Sequence, residues 1–536
     1  MKVPYYKDVR ENLEALKARG KLHTMKRRIN IYTELMPLVR CQYRGLKESE
    51  RKAFLFEKPV NHKGREYDAS VAVALLGASR DVYAIGMKCK TEEILERWVQ
   101  AQRNPIEPRI INKSNVPVKE EIHVGNKLQE HGGLDEFPIP ITTPGFDPAP
   151  YFTSASIVTK DPETGVRNVG TYRGMVKDPL KVGIMTHPAQ HIGIHWGKCK
   201  KMGKPLEAAF VIGTVPSIGM VSVAKIPYGV DEYTVAGGIA GEPIDLVKCE
   251  TVDLEVPATA ELVLEGEITT EYLEPEAPFA EFTGYIGVRA MNPYFEIKCI
   301  THRKKPVCQA YISQFPPSES SKIRAISYEA VLYKLLKYDC NIPSILDVAF
   351  HESSGSWEYC VIQMKKQNQS QPWQALNATV ALDPTIGKII IAVDDDVDPG
   401  NEWMVNWALS FRMQPHLDVR IVTGKSSMLD PSAAPPDAST EEQRFPKPSG
   451  TSAILIDATR KWDYPPTALP KKEYMDKGKE LWEEEGLPKL ELTPGQPWSG
   501  YSLGSWSKEN EEEAELAVKG EFYKTGEKLA GRKQKI

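Results

Sequence analysis

A short stretch bounded by prolines decides how this sequence is interpreted. It reads Pro275-Glu276-Ala277-Pro278-Phe279-Ala280-Glu281-Phe282-Thr283-Gly284-Tyr285. Pro275 and Pro278 each fix their own φ, lack a backbone donor and push the preceding residue out of helical geometry. The sequence therefore predicts a stiff, extended loop that holds Glu276 and Glu281 in fixed directions. A surface turn with two solvated acids is the alternative that composition alone favours.

Three further polar groups precede this loop and favour a functional site over a surface turn. They are Asn168-Val-Gly-Thr-Tyr-Arg173, Gln190-His191 and Asp231-Glu232. Together with the Glu-x4-Glu loop they resemble, in type and order, the motifs of the UbiD family of reversible decarboxylases, which use prenylated flavin mononucleotide (prenylated FMN). The resemblance runs from about Asp8 to about Trp462 and is densest at Asn168–Arg173, Glu276–Gly287 and Lys388–Pro399.

Composition is that of an ordinary soluble protein. The 536 residues are 41% hydrophobic and 26% charged, enough chain for two or three domains with their own cores. A formal charge of −4 gives no electrostatic argument for nucleic acid. The sequence shows neither a signal-peptide core nor a run of eighteen apolar residues, so we expect a cytoplasmic protein without membrane insertion. The eight cysteines form no Cys-x-x-Cys pair, which predicts reduced thiols and neither a cysteine zinc site nor a disulfide framework.

The expected fold is a mixed α/β protein in three parts. Residues 1–115 are predicted to form an N-terminal α/β domain, with a helix over 7–19 and a strand, turn and helix starting at Val71–Leu76. Residues 116–318 alternate apolar and polar side chains, which predicts a split β-barrel; the resemblance makes it the flavin-binding domain. A linker helix over 319–338 leads to a C-terminal α/β oligomerisation domain over 339–500 and an amphipathic tail over 501–536.

Six local predictions refine this outline. Phe295–Cys299 and Val307–Ile312 are expected to pair as a hairpin, and Pro188–Lys200 to be the helical exception within the barrel. The strand at Lys388–Val393, the helix at Glu402–Arg412 and the strand at Val419–Val422 are expected to form a right-handed parallel unit. Further patterns predict a mobile loop at Pro431–Pro448, a turn at the glycine-rich Ala236–Gly241 and one amphipathic helix at Lys508–Lys528 that packs on a neighbouring subunit.

Arg173 is the first candidate catalytic residue. A guanidinium is always charged, and its planar fork suits a substrate carboxylate held at two points. The alternative is an ordinary surface arginine on a strand. The resemblance implies that Arg173 binds the carboxylate and that Glu276 braces it. A buried Arg–Glu contact would also keep Glu276 ionised.

Glu281 is the candidate proton donor. Decarboxylation leaves electron density on a carbon that must then receive a proton. A carboxyl group next to a dry apolar surface has a raised pKa and can deliver that proton, and Phe279 and Phe282 could supply such surroundings. The resemblance assigns this role to the second glutamate. Ala277 and Ala280 stand where the family usually has glycine, which leaves the path of the loop open.

Asn168, His191 and Glu232 are the candidate metal ligands. An amide oxygen, an imidazole and a carboxylate suit a divalent ion such as Mn²⁺, Mg²⁺ or Fe²⁺. The resemblance implies that this ion holds the cofactor phosphate and that K⁺ binds nearby, at Glu232 and backbone carbonyls around Val169 and Ala224. It also implies cofactor contacts from Thr171, Tyr172, Arg173, Gln190, Ser222 and Lys388.

Two alternatives concern these ligands. His187, His191 and His195 recur every four residues and could bind zinc on one helical face. The absence of an accompanying HExxH-type glutamate and the position of Pro188 favour capping or core roles for His187 and His195.

Asn168 and Arg173 are five residues apart, so a regular strand sends their side chains to opposite faces. Either a bulge at Gly170 brings them together, or they face different parts of the cofactor.

Asp394-Asp-Asp-Val-Asp398 has the look of a calcium loop. Pro399 and Val405 occupy the positions that need glycine and a bidentate glutamate, so the sequence favours a strand-end turn packed in the core instead. Lys388, which precedes that strand, could equally be an ordinary strand-edge lysine.

The resemblance implies reversible, non-oxidative decarboxylation of an aromatic or α,β-unsaturated acid, with a flavin prenyltransferase supplying the cofactor and a homo-oligomeric assembly from dimer to hexamer. A carboxylase running in reverse within an aromatic-degradation complex, and a non-catalytic flavin-binding protein, are the rivals. The Arg–Glu–Glu set disfavours the second, because storage needs no proton donor. A phenolic acid, a heteroaromatic acid and an aryl-CoA thioester all remain open as substrates.

Overall fold

Three sheets organise the chain in the computed structural model, which describes residues 4–383, 385–425, 429–433 and 451–535. A four-stranded mixed sheet lies in the N-terminal part, a nine-stranded antiparallel sheet curls into a half-barrel in the centre, and a five-stranded mixed sheet lies in the C-terminal part. The predicted three-part α/β architecture is confirmed. No described helix is both long and apolar enough to cross a membrane.

The N-terminal elements are four helices and three strands: α1 (Val9–Ala18), β1 (Leu22–Asn30), α2 (Leu35–Gly45), β2 (Ala53–Val60), β3 (Ser70–Val73), α3 (Arg80–Met87) and α4 (Ile94–Arg103). The predicted first helix is present. The Asp8 side chain accepts a hydrogen bond from the backbone N–H of Glu11 and caps α1, and Gly20 follows its end at φ +68°. The predicted strand, turn and helix are also present, and Ser79 caps α3.

The central part is mostly strands: β4 (Arg109–Ile110), β5 (Glu121–Val124), β6 (Tyr151–Phe152), β7 (Ser156–Lys160), β8 (Arg167–Thr171), β9 (Gly174–Asp178), β10 (Lys181–Ile184), β11 (Leu206–Ile212), β12 (Asp245–Lys248), β13 (Glu255–Pro257), β14 (Leu262–Ile268), β15 (Glu274–Glu276), β16 (Phe279–Ala280), β17 (Ile286–Gly287), β18 (Ala290–Asn292), β19 (Tyr294–His302) and β20 (Val307–Ala310). Its helices are α5 (Asn126–Glu130), α6 (His191–Lys201), α7 (Pro216–Val221) and α8 (Glu232–Ala240). The half-barrel has the order β6-β9-β10-β19-β14-β11-β7-β8, and β5 pairs with the far end of β19.

The predicted hairpin between β19 and β20 is wrong. β20 leaves the half-barrel and pairs in parallel with β3 in the N-terminal sheet. Its apolar side chains explain this, because Val307 and Ala310 are buried in the N-terminal core. Local alternation marks a strand but does not select its partner across the chain.

The glycine-rich segment Ala236–Gly241 is also different from its prediction. The segment is helical as far as Ala240, where α8 ends, instead of forming a turn. A Cβ at Gly237 or at Gly238 would lie 2.6 Å from the backbone oxygen of Ile106 or Ala101, respectively. The glycines therefore serve close packing of α8 on α4 and the chain that follows α4. The central part therefore contains α7 and α8 in addition to the one helix that the sequence predicted there.

The C-terminal part begins with α9 (Glu319–Lys334), which continues as a π-helical turn, Leu335–Asp339. It then contains β21 (Ile345–Phe350), β22 (Tyr359–Met364), α10 (Gln371–Leu382), β23 (Ile389–Asp394), α11 (Glu402–Arg412), α12 (Pro415–Asp418), β24 (Val419–Thr423), β25 (Ser452–Ala458), α13 (Lys472–Glu484), α14 (Lys508–Val518) and α15 (Phe522–Ala530). The sheet order is β21-β22-β23-β25-β24.

The predicted parallel unit β23-α11-β24 is wrong. β25 is the parallel neighbour of β23, and β24 runs antiparallel to β25 at the edge of the sheet. Burial explains why β25 and not β24 is the neighbour of β23. Leu455 of β25 is fully buried, whereas Ile421 of β24 is 70% exposed. The Pro431–Pro448 loop lies, apart from its first three residues, outside the described residues.

The tail forms two helices instead of one. Gly520, at φ +77°, separates α14 from α15, which pair through Glu509 with Lys528 and Arg532. Val518 and Tyr523 are exposed. Packing of this tail on a neighbouring subunit stays a prediction, as do the domain boundaries.

Candidate active site

The Glu-x4-Glu loop is held by two short antiparallel ladders. β15 pairs with β18, and β16 pairs with β17. Ala277 joins the two ladders at φ +79°, a left-handed conformation that favours glycine, whereas Ala280 lies within β16. Of the two alanines, only Ala277 therefore adopts a backbone that explains a glycine preference. The carboxylate of Glu276 is fully buried, and Glu281 is 7% exposed.

Arg173 lies between the two glutamates. Its Nε and Nη2 donate to the two carboxylate oxygens of Glu276, at 3.0 and 2.7 Å, and its Nη1 donates to Oε1 of Glu281. Nδ2 of Asn292 donates a further hydrogen bond to Glu276, at 3.2 Å. Glu276 therefore occupies the Nε–Nη2 edge of the guanidinium, and Nη1 is directed toward Glu281. The two-point grip of Arg173 on a substrate carboxylate stays a prediction.

Burial shapes the electrostatics of this triad. Burial alone would lower the pKa of Arg173, but Glu276 and Glu281 outweigh it, so that pKa is raised and the guanidinium stays charged. Burial raises the pKa of Glu281, and the positive charges of Arg173 and Arg324 oppose this without cancelling it. Glu281 therefore holds a proton to a higher pH than an ordinary glutamate does.

Two adjacent cavities lie beside this triad. The large cavity, of about 350 Å³, contains the candidate metal ligands and Ser222 in its wall. The small cavity, of about 90 Å³, contains Arg173, Glu281, Phe279 and Phe282. The two cavities share five wall residues: Thr171, Tyr172, Gln190, Val223 and Arg324. A polar chamber opening onto a smaller, more apolar one is typical of a site for a cofactor and a small substrate.

Asn168, His191 and Glu232 converge at the wall of the large cavity. Nδ1 of His191 lies 3.5 Å from Oε1 of Glu232, and the backbone N–H of Val169 donates to Oε2 of Glu232 at 2.7 Å. Burial raises the pKa of Glu232. His191 and Glu232 begin α6 and α8, so the partial positive charge of two helix N-termini also lies at this wall. The donor set fits a divalent ion, and the helix ends fit a phosphate.

The relation of Asn168 to Arg173 is resolved by the end of β8. The β7–β8 register is continuous, with no bulge at Gly170. The strand ends at Thr171, and Arg173 lies beyond it, at the wall of the small cavity, while Asn168 lies at the wall of the large one. A Cβ at Gly170 would lie 2.4 Å from the Tyr172 hydroxyl, so this glycine makes room for Tyr172.

The histidine zinc alternative does not fit the structure. His187 precedes α6, and its Nδ1 accepts a hydrogen bond from the backbone N–H of Ala189. His195 is buried against Thr159, with 3.0 Å between its Nδ1 and Oγ1 of Thr159. Burial lowers the pKa of His195 to about 4. The three histidines therefore do not share one helical face, and the expected capping and core roles describe His187 and His195.

Lys388 is placed away from both cavities. Its Nζ donates to Oδ2 of Asp430 at 2.6 Å and to Oγ of Ser432 at 2.7 Å. The cofactor role of Lys388 stays a prediction, and its ammonium group is held by Asp430 and Ser432. The cationic side chains that do line the large cavity are those of Lys225, Arg324 and Lys334.

Arg324 is the residue that motif analysis missed. It lies in α9, its guanidinium carbon is 4.5 Å from the centre of the Phe282 ring, and its buried Nη1 has no hydrogen-bond partner among the described residues. No signal in the sequence marked it, because polar, charged and apolar residues are mixed on all sides of α9.

The acidic run Asp394–Asp398 matches its prediction as a strand-end turn. Arg412 is buried and pairs with Asp394 at 2.9 Å and with Asp396 at 2.6 Å, which leaves these carboxylates neutralised by protein. All eight cysteines are free thiols, as expected.

Comparison with known proteins gives the family. Residues 13–102, 109–316 and 322–458 match the N-terminal, Rift-related and C-terminal domains of 3-octaprenyl-4-hydroxybenzoate carboxy-lyase (UbiD). The chain is 30% identical over 499 residues to a phenolic acid decarboxylase of Sedimentibacter hydroxybenzoicus, covering 90% of this chain and 97% of the relative.

Two solved structures share the fold. One is an evolved dimeric form of the UbiD-class enzyme HmfF from Pelotomaculum thermopropionicum in complex with prenylated FMN, at a TM-score of 0.73 and 30% identity, covering 85% of this chain and 96% of that one. The other is the closed form of the Sedimentibacter hydroxybenzoicus vanillic acid decarboxylase, at a TM-score of 0.76 and 28% identity, covering 90% and 100%. With all three domain matches in order along its length, the chain belongs to the UbiD family of carboxy-lyases.

Proposed function

We propose that this chain catalyses the reversible, non-oxidative decarboxylation of an aromatic or α,β-unsaturated carboxylic acid, with prenylated FMN as its cofactor. The observation that carries the proposal is the position of Arg173, which is fixed by Glu276 and directed toward Glu281 at the wall of the small cavity. The HmfF enzyme was solved with prenylated FMN, which supports the choice of cofactor.

The large cavity is the proposed cofactor site. Asn168, His191 and Glu232 would bind a divalent ion (Mn²⁺, Mg²⁺ or Fe²⁺) that bridges to the cofactor phosphate. K⁺ would bind Glu232 and the backbone carbonyls of Val169 and Ala224, both of which line this cavity. Thr171, Tyr172, Gln190 and Ser222 would contact the rest of the cofactor. When bound, prenylated FMN supplies an electron sink for the pair released as CO₂ leaves.

The small cavity is the proposed substrate site. The substrate carboxylate would approach Nη1 of Arg173, because Glu276 already occupies Nε and Nη2. That approach would displace the Glu281 side chain from Nη1. Away from the guanidinium charge, Glu281 would take up a proton from solvent and turn toward the substrate carbon. Phe279 and Phe282 would limit access of water to this carbon.

The proton would then come from Glu281. As the bond between the substrate carbon and the carboxylate breaks, the carbon keeps the electron pair and CO₂ departs. The Glu281 carboxyl O–H would transfer its proton to that carbon, leaving a carboxylate that is reprotonated from solvent. In the reverse direction the carboxylate would remove the same proton before CO₂ adds. The raised pKa of Glu281 supports this role.

The test is cofactor identification followed by turnover. The chain is co-expressed with a flavin prenyltransferase, its bound cofactor is identified by mass spectrometry, and aromatic acids and thioesters are screened for CO₂ release. We expect release from at least one acid by the parent, loss of release in Glu281→Gln, and retention in Glu274→Gln. Glu274 begins β15, the strand that carries Glu276, but pairs with Lys177 and Lys181, which makes it the matched control. Equal release by all three proteins would contradict the proposal.

A homo-oligomer is the proposed assembly. The HmfF structure is described as a dimeric form, and large apolar side chains of the C-terminal part, Phe411 and Trp462 among them, are exposed. Sedimentation of the full chain measures its size.

A further inference from the structure

Four side chains converge at the end of β5 and β19, remote from both cavities. His123 lies in β5, His131 follows α5, Glu136 ends the turn Gly133–Glu136 and His302 ends β19. Ligand atoms of His123, His131 and Glu136 all lie within 4.8 Å of one another, the single such group of His, Cys, Asp or Glu found among the described residues. None of the four lines the large or the small cavity.

Strand pairing places two of these histidines on one face. In the antiparallel ladder, His123 is opposite Ile300 and Glu121 is opposite His302. His123 and His302 are therefore diagonal neighbours on the same side of the sheet, and their ring centres are 5.0 Å apart. The ring of His131 stacks on that of His123 at 3.9 Å. Three imidazoles and one carboxylate thus share a single small volume.

The hydrogen bond of His302 directs a lone pair into this volume. Its Nδ1 lies 2.9 Å from the carbonyl oxygen of Arg303, which can only accept, so Nδ1 carries the proton. In the neutral imidazole Nε2 is then an acceptor. This Nε2 is buried, has no hydrogen-bond partner among the described residues and faces Oε1 of Glu136 at 3.7 Å. Two acceptors that face each other need a proton or a metal ion between them.

The other carboxylate oxygen of Glu136 points to the same conclusion. Oε2 is buried, has no hydrogen-bond partner in the described part of the chain and lies 3.4 Å from Nδ1 of His123. His123 is 3% exposed and His302 is 5% exposed, whereas His131 is exposed. The group is therefore mostly buried, with one ligand at the surface through which an ion can enter.

We propose that His123, His131, Glu136 and His302 bind one divalent transition-metal ion. Imidazole nitrogen with one carboxylate oxygen is a ligand set that suits Zn²⁺ in four-coordinate geometry. The ion would tie α5 and the Gly133–Glu136 turn to the end of β19. It would therefore stabilise the connection from β5 to β6, and its role would be structural.

The experiment uses the full chain without a histidine tag. The protein is treated with a chelator, and the chelator is then removed. The protein is next mixed with ZnCl₂ and passed over a gel-filtration column. Retained zinc is measured by plasma mass spectrometry, and Tm is measured with and without zinc. The variants are His123→Ala, Glu136→Gln and His302→Gln, with exposed His416→Ala as the matched control and His191→Ala to remove the proposed cofactor-site ion.

We expect one retained zinc equivalent in His191→Ala and the parental number in His416→Ala. His123→Ala, Glu136→Gln and His302→Gln should each retain one equivalent fewer than the parent. Zinc should raise Tm in the parent, in His191→Ala and in His416→Ala, and should raise it less in the other three variants than in the parent. Co²⁺ in place of Zn²⁺ should give visible d–d absorption that Glu136→Gln abolishes. Because Glu136 is half-buried and Gln has the same shape, this variant keeps the test valid if His123→Ala does not fold.

Two results would overturn the proposal. One is zinc retention in Glu136→Gln equal to that in His416→Ala. The other is a parent that retains no zinc and whose Tm does not respond to it, as expected if a charged His302 simply forms an ion pair with Glu136.

Discussion

Nε and Nη2 of Arg173 donate to both carboxylate oxygens of Glu276, at 3.0 and 2.7 Å. This pairing fixes the plane of the guanidinium and leaves Nη1 as the edge that a ligand in the small cavity can reach. Because Nη1 donates to Glu281 in this structure, a substrate carboxylate and Glu281 would compete for the same donor. Substrate binding and release of the proton donor are thereby linked in the proposed reaction.

Replacing Glu281 by glutamine should reduce turnover far more than substrate binding. Proton transfer is realised in the transition state, and the amide cannot supply the proton. We expect exchange of the product's hydrogen at the reacting carbon with D₂O to be lost together with CO₂ release. Exchange at the parental rate in Glu281→Gln would rule out Glu281 as the proton donor, with Glu274→Gln as the control.

The rate of decarboxylation should depend on pH through Glu281. Burial raises its pKa, so the carboxyl group stays protonated at a higher pH than an ordinary glutamate. Activity that needs the Glu281 proton should be full at pH values below the raised pKa of Glu281 and should be lost as the pH rises through that pKa. The measurement is kcat/KM for CO₂ release against pH, normalised to bound cofactor. A falling limb at the pKa of a free glutamate, about 4.3, would contradict this assignment.

Replacing His191 or Glu232 by alanine should give folded protein that retains little prenylated FMN. The phosphate would lose its divalent bridge, although the helix N-termini remain. The measurement is flavin absorbance and metal content per chain after gel filtration. Cofactor and metal content should be normal in His187→Ala and His195→Ala. Full cofactor occupancy in His191→Ala and Glu232→Ala after extensive chelation would contradict the metal assignment.

Replacing Arg324 by methionine should impair catalysis without unfolding the chain. Its guanidinium lies between the two cavities with one buried N–H group unpartnered among the described residues, so a bound ligand would complete its hydrogen bonds. A lost charge-assisted hydrogen bond of about 1.5–3 kcal/mol corresponds to a decrease in kcat/KM of roughly ten- to 150-fold. An unchanged kcat/KM in Arg324→Met would show that this contact is not made.

The sequence predicted the site better than it predicted the pairing of distant strands. Four motifs in order indicated Arg173, Glu276 and Glu281, and the structure brings these three side chains into contact. The predicted pairing partners of β20 and β24 were wrong, because the strand that pairs with each of them is selected by burial against residues far along the chain. Val307 of β20, for example, is buried in the N-terminal core.

Two site features could not be predicted for related reasons. Arg324 belongs to no motif, and its position between the cavities results from packing α9 against the Phe282 ring. Gly170 suggested a bulge, whereas its role is to make room for Tyr172.

The most direct test of the proposed site compares Arg173→Lys with Arg289→Lys. Arg289 donates to the carbonyl oxygen of Ala277 in the same loop and lines neither cavity, so its change to lysine should leave activity near the parental value. A lysine at 173 cannot donate to both oxygens of Glu276 and to a substrate in one plane. The measurement is kcat/KM for CO₂ release, normalised to bound prenylated FMN.

We predict a loss of transition-state stabilisation on the order of 2–3 kcal/mol or more in Arg173→Lys, about 30- to 150-fold in kcat/KM, with nearly normal cofactor content. Glu276→Gln should show a milder form of the same defect. An Arg173→Lys enzyme as active as the parent would contradict the account, because the carboxylate would then be bound elsewhere.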